Sequence, residues 1–238
     1  KLRRFKERLE ALTGVEITAE RLKAAIELCN RERELFRGIS LKRRAEPCPL
    51  PGREFMDLHH ASYLLDKEIM IGRLEETLRG LDEPRHEVIG PRVMLTGSTL
   101  ARGDFKAPDL VIEAGGRIVV EEFAEGLRPY WFEVDMEGDP LAALAEAYFM
   151  RRVPPAWFRP GRERLDFLVD LARDFNVDGV VWYQLMFRES YKIESGFFPD
   201  ILRRETGLSM LVLESDYDDG ETGAMRTRIE TYMQTIGR

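Results

Sequence analysis

Four short stretches of this 238-residue sequence hold more chemically capable side chains than a connector needs. The first is Thr96, Gly97, Ser98 and Thr99, small hydroxyls and free amides. Leading into a helix, such groups hold an anion or a carbonyl oxygen, although Gly-Ser is equally ordinary turn chemistry. The second, residues 121–131, sets the paired carboxylates Glu121 and Glu122 near Arg128, Tyr130 and Trp131. It reads either as a functional cluster or as an Arg128 ion pair with aromatic packing. The third, residues 187–194, carries Arg188, Glu189, Ser190, Tyr191, Lys192 and Glu194. The fourth, residues 214–223, holds Glu214, Asp216, Asp218, Asp219 and Glu221, with Arg226 and Arg228 just beyond. Five acids suit a divalent cation, yet carboxylates near a helix N-terminus are favoured by the helix dipole alone. His59, His60 and His86 fall outside all four stretches, which leaves a histidine triad or a zinc site little support.

The elements that must position these stretches follow from periodicity. Residues 1–12 are amphipathic, and Gly14 stops them. Thr18 caps a second helix whose apolar stripe is Leu22, Ile26, Cys29 and Phe36, so Cys29 is expected on the packed face as a buried thiol. Three prolines make residues 45–52 an extended connector, with Cys48 as a spacer residue. Helical patterns return over 53–65 and 67–81, and a hinge with Pro84, Gly90 and Pro91 covers 82–91. Beyond it the period changes. Short apolar runs at 92–98, 117–122, 180–186 and 209–214 alternate with helical patterns ending near 114 and over 140–151, 163–175, 195–204 and 223–236. Strands that are apolar throughout, alternating with helices, predict a doubly wound parallel four-stranded α/β sheet preceded by a helical region. The expected division is a helical region over 1–90 and a Rossmann- or flavodoxin-like domain over 91–238. In such sheets ligands lie outside the carboxyl ends of the strands, and all four stretches stand there.

Composition narrows the function. The net charge of −7 argues against a general nucleic-acid binder. No apolar run reaches the roughly 18–20 residues that span a bilayer, and no charged-then-apolar leader opens the sequence. With two cysteines and no disulfide framework, the expectation is a cytoplasmic protein with no membrane or nucleic-acid partner. The first residue is Lys1 rather than Met, so a further N-terminal portion is expected.

Residues 211–217 (LVLESDY) with 223–230 (GAMRTRIE) resemble the C-terminal signature of the 2-hydroxyacyl-CoA dehydratase and benzoyl-CoA reductase family. Residues 92–98 with Asp104 onward, 126–131, 187–194 and the helical start at 5–18 resemble the same family, which extends the likeness over nearly the whole chain. The resemblance implies a subunit of a dimeric, oxygen-sensitive module acting on an acyl-CoA thioester. Such a module has a [4Fe-4S] cluster on cysteine thiolates, a paralogous partner subunit and an ATP-dependent activator as electron source. It also implies where the cluster ligands stand, and there the sequence departs. Ala124 occupies one family cysteine position and Arg188 another, while a further family cysteine belongs to an N-terminal α/β domain outside these residues. Alanine has no donor atom, and arginine is a fixed cation. A cluster ligated by this chain is therefore not expected. Ser98, Arg128, Tyr130, Arg188 and Tyr191 are the candidates for the rim of the cluster and thioester site, with Arg188 able to hold a phosphate or carboxylate. Two further readings stand beside an acyl-CoA-binding subunit. One is a non-catalytic scaffold or regulatory member, and the other is an iron-free small-molecule enzyme. No Gly-x-Gly-x-x-Gly or Walker loop supports the last.

Overall fold

The computed structural model describes residues 1–82, 89–152 and 161–237. The apolar runs become β1 (Arg92–Gly97), β2 (Arg117–Glu122), β3 (Gly179–Leu185) and β4 (Met210–Ser215). They form one sheet in the order β2-β1-β3-β4, and every pairing is parallel. β1 and β3 are buried along their whole length, as central strands covered on both faces must be.

Alternation assigns each face. Met94, Val120, Val180 and Trp182 meet α7 (Gly161–Asp174) and α9 (Phe198–Thr206). Val93, Leu95, Val181 and Tyr183 meet α5 (Lys106–Glu113) and α10 (Thr222–Ile236). Helices thus cover both faces, and the sheet is doubly wound. One residue is extra on β2. Val93 pairs with Ile118 and Met94 with Val120, so a bulge at Val119 precedes the two glutamates.

The helical start comprises α1 (Leu2–Thr13), α2 (Ala19–Lys42), α3 (Gly52–Ala61) and α4 (Lys67–Gly80). Thr18 caps α2 by accepting from the Arg21 N–H at 3.2 Å. Leu35, Phe36 and Ile39 of α2, Phe55 of α3, and Met70 and Leu74 of α4 join the same core as Met94 and Trp182. Residues far apart in sequence therefore converge beside β2.

Two segments differ from the periodicity reading. Residues 140–151 are not one α-helix: α6 (Pro140–Ala145) passes into a wider π-helical turn at Glu146–Arg151. Residues 187–204 hold two helices, α8 (Glu189–Ser195) and α9. Pro199 has no N–H to donate and opens α9 afresh, so the pattern cannot run through Gly196. Among the described residues no helix is long and apolar enough to cross a membrane. His86 and the Pro84 part of the hinge lie outside the described residues.

Candidate functional site

The strand order reverses between β1 and β3, where a crevice is expected at the carboxyl ends. Charged side chains fill it. Glu122, at the end of β2, is wholly buried and accepts hydrogen bonds from Arg128 Nε and Nη2 and from Thr96 Oγ1 at 2.6 Å. Arg164 of α7 donates to the same carboxylate at 3.2 Å and pairs with Glu194 of α8. Both arginines donate to the Gly97 carbonyl, at 3.1 and 3.3 Å. Arg128 also reaches the Tyr191 hydroxyl at 3.1 Å. Burial by itself would raise the Glu122 pKa, but Arg128 and Arg164 outweigh it and hold the carboxyl at about 2. Two carboxylates balance two guanidiniums, and breaking such a set by removing one partner costs about 3–5 kcal/mol.

Ser98 closes the same crevice. Its N–H donates to the Tyr183 carbonyl at 3.0 Å, and its Oγ accepts from the Leu185 N–H at 3.0 Å. The hydroxyl therefore extends the β1–β3 ladder. Gly97 is required here, because at φ 133 a Cβ would stand 1.8 Å from the Tyr183 carbonyl oxygen. Glu121, next to Glu122, points to the other side by strand alternation and takes a bidentate pair from buried Arg43 of α2's end, at 2.6 and 2.7 Å.

A second region lies on the outer side of β2. After Phe123 the chain turns tightly, the Leu127 N–H bonding back to the Glu121 carbonyl at 2.8 Å. A Cβ on Gly126 would come within 2.5 Å of that carbonyl oxygen, so the turn admits only glycine without adjustment. Between this turn and α2–α4 lies a cavity of about 380 Å³ whose wall includes Ala124 and Tyr130. Tyr130 is buried, stacks on Phe36 at 5.4 Å and abuts His59 at 5.5 Å. The Tyr63 hydroxyl donates to the Ala124 carbonyl at 2.9 Å.

The cavity's charges come from residues that turn chemistry did not single out. Lys67 of α4 is bonded to both oxygens of Glu32, at 2.6 and 2.8 Å. Arg33 of α2 donates to Pro129 O, Asn30 Oδ1 and Tyr148 Oη, all of them neutral acceptors. Arg152 is half-buried, and its Nε has no hydrogen-bond partner among the described residues. Burial, then the charge of Arg128, pull its pKa below the ordinary arginine value. His59 is buried and kept neutral, its pKa pushed down to about 3 by burial and then by His60 and Lys67. Among these, the Tyr148 and Arg152 positions follow from the π-helical turn, a feature that periodicity cannot register.

The predicted residues are thus not brought to one rim. Arg128 and Tyr191 belong to the balanced network, Ser98 to the sheet ladder, and Ala124 and Tyr130 to the cavity. Arg188 is exposed ahead of α8, its carbonyl accepting from the Tyr191 and Lys192 N–H groups, and its side chain makes no hydrogen bond or ion pair among the described residues. The residue before it, Phe187, is 89% exposed and holds φ 62, a left-handed conformation that is costly for a bulky side chain. In the fourth stretch, Lys106 reaches in and donates to the Asp216 and Asp218 carbonyls at 2.5 and 2.6 Å.

Sulfur is sparse at these places. Cys29 is not fully buried, as its helical stripe suggested. It is half-buried on the cavity wall, because the turn opposite leaves space instead of a packing partner. Cys48 donates to the Leu50 carbonyl in the connector. Among the described residues no group of three or more His, Cys, Asp or Glu could hold a metal ion. A donor set with one cavity thiol, Ala124 and a free-standing Arg188 does not fit a thiolate-held iron–sulfur cluster.

The family described as "2-hydroxyglutaryl-CoA dehydratase, D-component" matches residues 1–236. The chain is similar to the protein named "Putative dehydratase subunit YjiM" of Escherichia coli (strain K12), with 26% identity over 238 residues, 98% of this chain and 62% of that protein. It is also similar to the (R)-phenyllactyl-CoA dehydratase beta subunit of Clostridium sporogenes, with 23% identity over 235 residues, 97% of this chain and 61% of that protein. The chain therefore spans about three fifths of the length of these relatives. With the match running from the first helix to the end of α10, the chain belongs to the 2-hydroxyglutaryl-CoA dehydratase D-component family.

Proposed function

We propose that this chain is the subunit of a 2-hydroxyacyl-CoA dehydratase-type assembly that binds an acyl-CoA thioester at the Ala124 cavity, beside a partner subunit carrying the [4Fe-4S] cluster. One observation carries the reading. The position where the family resemblance puts a cysteine ligand opens on a cavity of ligand size lined with aromatic and cationic groups. The residues present supply no thiolate set, so the cluster belongs to the partner, and an ATP-dependent activator serves that partner. The exposed Phe187 and Arg188 support a paralogous partner or the CoA phosphates as their neighbour. Within this chain, Tyr130 shapes the acyl end of the site, while Arg128 and Tyr191 act as positioning residues that fix the turn behind it. Ser98 holds the strand end. A cytoplasmic setting accords with this reading.

Calorimetric titration of the chain with 2-hydroxyglutaryl-CoA and (R)-phenyllactyl-CoA tests it, the acyl groups being those named for the family and one relative. Saturable binding of either is the expected result. No heat from either at millimolar concentration would sink the reading in favour of a non-catalytic scaffold, the alternative that the missing sulfur ligands favour.

A further inference from the structure

The same cavity carries a second conclusion, drawn from its charges alone and independent of any thioester. In a protein of net charge −7, the described wall holds three cations and one carboxylate, and that carboxylate, Glu32, is already taken by Lys67. Arg33 is 8% exposed, and its hydrogen bonds end on neutral oxygens. Arg152 keeps an Nε shut away from water with no acceptor among the described residues. Residues 153–160, which follow it in sequence, read VPPAWFRP and contain no acid.

Uncompensated guanidiniums are costly in a partly dry site. Native structures pair their buried charges, and an unpaired one calls for an explanation. At the crevice between β1 and β3 the same residue type is matched carboxylate for guanidinium, so this fold has the means to neutralise arginine. Beside Ala124 that means is withheld. The π-helical turn at Glu146–Arg151 adds a second observation. It brings the Tyr148 hydroxyl to Arg33 at 2.7 Å and delivers Arg152 to the same wall, in a rare conformation that is frequent at functional sites. Much of the rest of the wall is aromatic. Phe132 lies under both guanidiniums, at 4.9 and 5.9 Å, and Phe36 and Tyr130 form a stacked pair behind. The neutral His59 adds no competing cation.

We infer that the cavity is a binding site for a small organic carboxylate with a flat apolar body, its carboxylate held between Arg33 and Arg152. A planar guanidinium matches a carboxylate in two parallel bonds, and the aromatic wall accepts the body. Inorganic phosphate lacks the body and binds more weakly. The carboxylate has two sources, a free acid or the far end of an acyl group on CoA.

The test is calorimetry on the whole chain with benzoate, the isosteric neutral benzamide, inorganic phosphate, succinyl-CoA and butyryl-CoA. Benzoate is expected to bind at least about tenfold more tightly than benzamide. Arg152→Met is expected to weaken benzoate by roughly ten- to a hundredfold, the scale of one charge-assisted hydrogen-bond set. Arg152→Lys should restore part of it. Among the described residues the Arg152 side chain makes no hydrogen bond or ion pair, so the variant should keep the parent melting temperature, and that is measured alongside. An Arg152→Met loss for succinyl-CoA without one for butyryl-CoA assigns the carboxylate to an acyl group. A loss for benzoate with no binding of either thioester assigns it to a free acid, and then this inference stands while the acyl-CoA reading falls. Equal binding of benzoate and benzamide, or benzoate affinity unmoved by Arg152→Met in a folded variant, overturns it.

Discussion

Two arginine-rich regions flank the end of β2 and differ in one respect. At the crevice between β1 and β3, Arg128 and Arg164 meet Glu122 and Glu194, and all four are buried. At the Ala124 cavity, Arg33 and Arg152 meet neutral oxygens and aromatic rings, and the space is hollow. The neighbouring residue Glu121 repeats the first pattern with Arg43. Charge balance marks the parts of this fold that hold it together, and charge imbalance marks the part open to a ligand. An α/β sheet is expected to bind at its topological switch point. Here buried ion pairs occupy the switch point, and the Ala124 cavity lies outward, between the edge strand and the helical region.

The comparison can be broken most sharply at Glu122. Glu122→Gln leaves Arg128 and Arg164 with one buried counter-charge between them, and a loss of about 3–5 kcal/mol is expected in urea unfolding. A midpoint near the parent value would show that the network is not structural. Acid should act next. His59 is neutral in the fold down to about pH 3, whereas the unfolded residue binds a proton below about 6.5, so stability should fall as pH drops across that window. Glu122, held at about 2, adds stability that is present above its unfolded value of about 4.3 and is lost as pH falls towards 2. Urea midpoints from pH 7 to 3 check this, and a His59→Leu variant should flatten the upper part of the slope. A smaller effect is expected from Arg152→Met, within about 0.5 kcal/mol of the parent or slightly more stable, since an unmatched charge is removed. A large loss would mean that Arg152 is structural. The smallest is Arg188→Ala, within about 0.5 kcal/mol in stability, with any effect confined to thioester affinity.

Much of the scaffold was legible in sequence because its signals are local. Apolar runs such as Val93–Met94–Leu95 announce buried parallel strands, and Thr18 and Gly14 announce helix ends. Glu122 with Arg128 was legible as one of two readings, since both residues lie in one turn. Arg164 was not, because it sits on the otherwise apolar face of α7 between residues that look like core, and only the fold brings it to Glu122. The cavity was the least legible part. Ala124 and Tyr130 were marked, but Arg33, His59 and Lys67 come from helices that periodicity treats as separate packing units. Cys29 was misplaced for the same reason: a stripe at helical spacing shows which side faces inward, not whether anything fills that side. Arg152 depended on a π-helical turn, whose extra residue per turn has no sequence period to betray it.

The central claim is that the Ala124 cavity works through side-chain cations and aromatic walls, not through a cluster on this chain's own thiolates. Anaerobic reconstitution of the chain with iron and sulfide, followed by desalting and iron analysis, tests it most directly. The account predicts no stable cluster and benzoate affinity unchanged by the treatment. A stoichiometric four-iron cluster that survives desalting would contradict it.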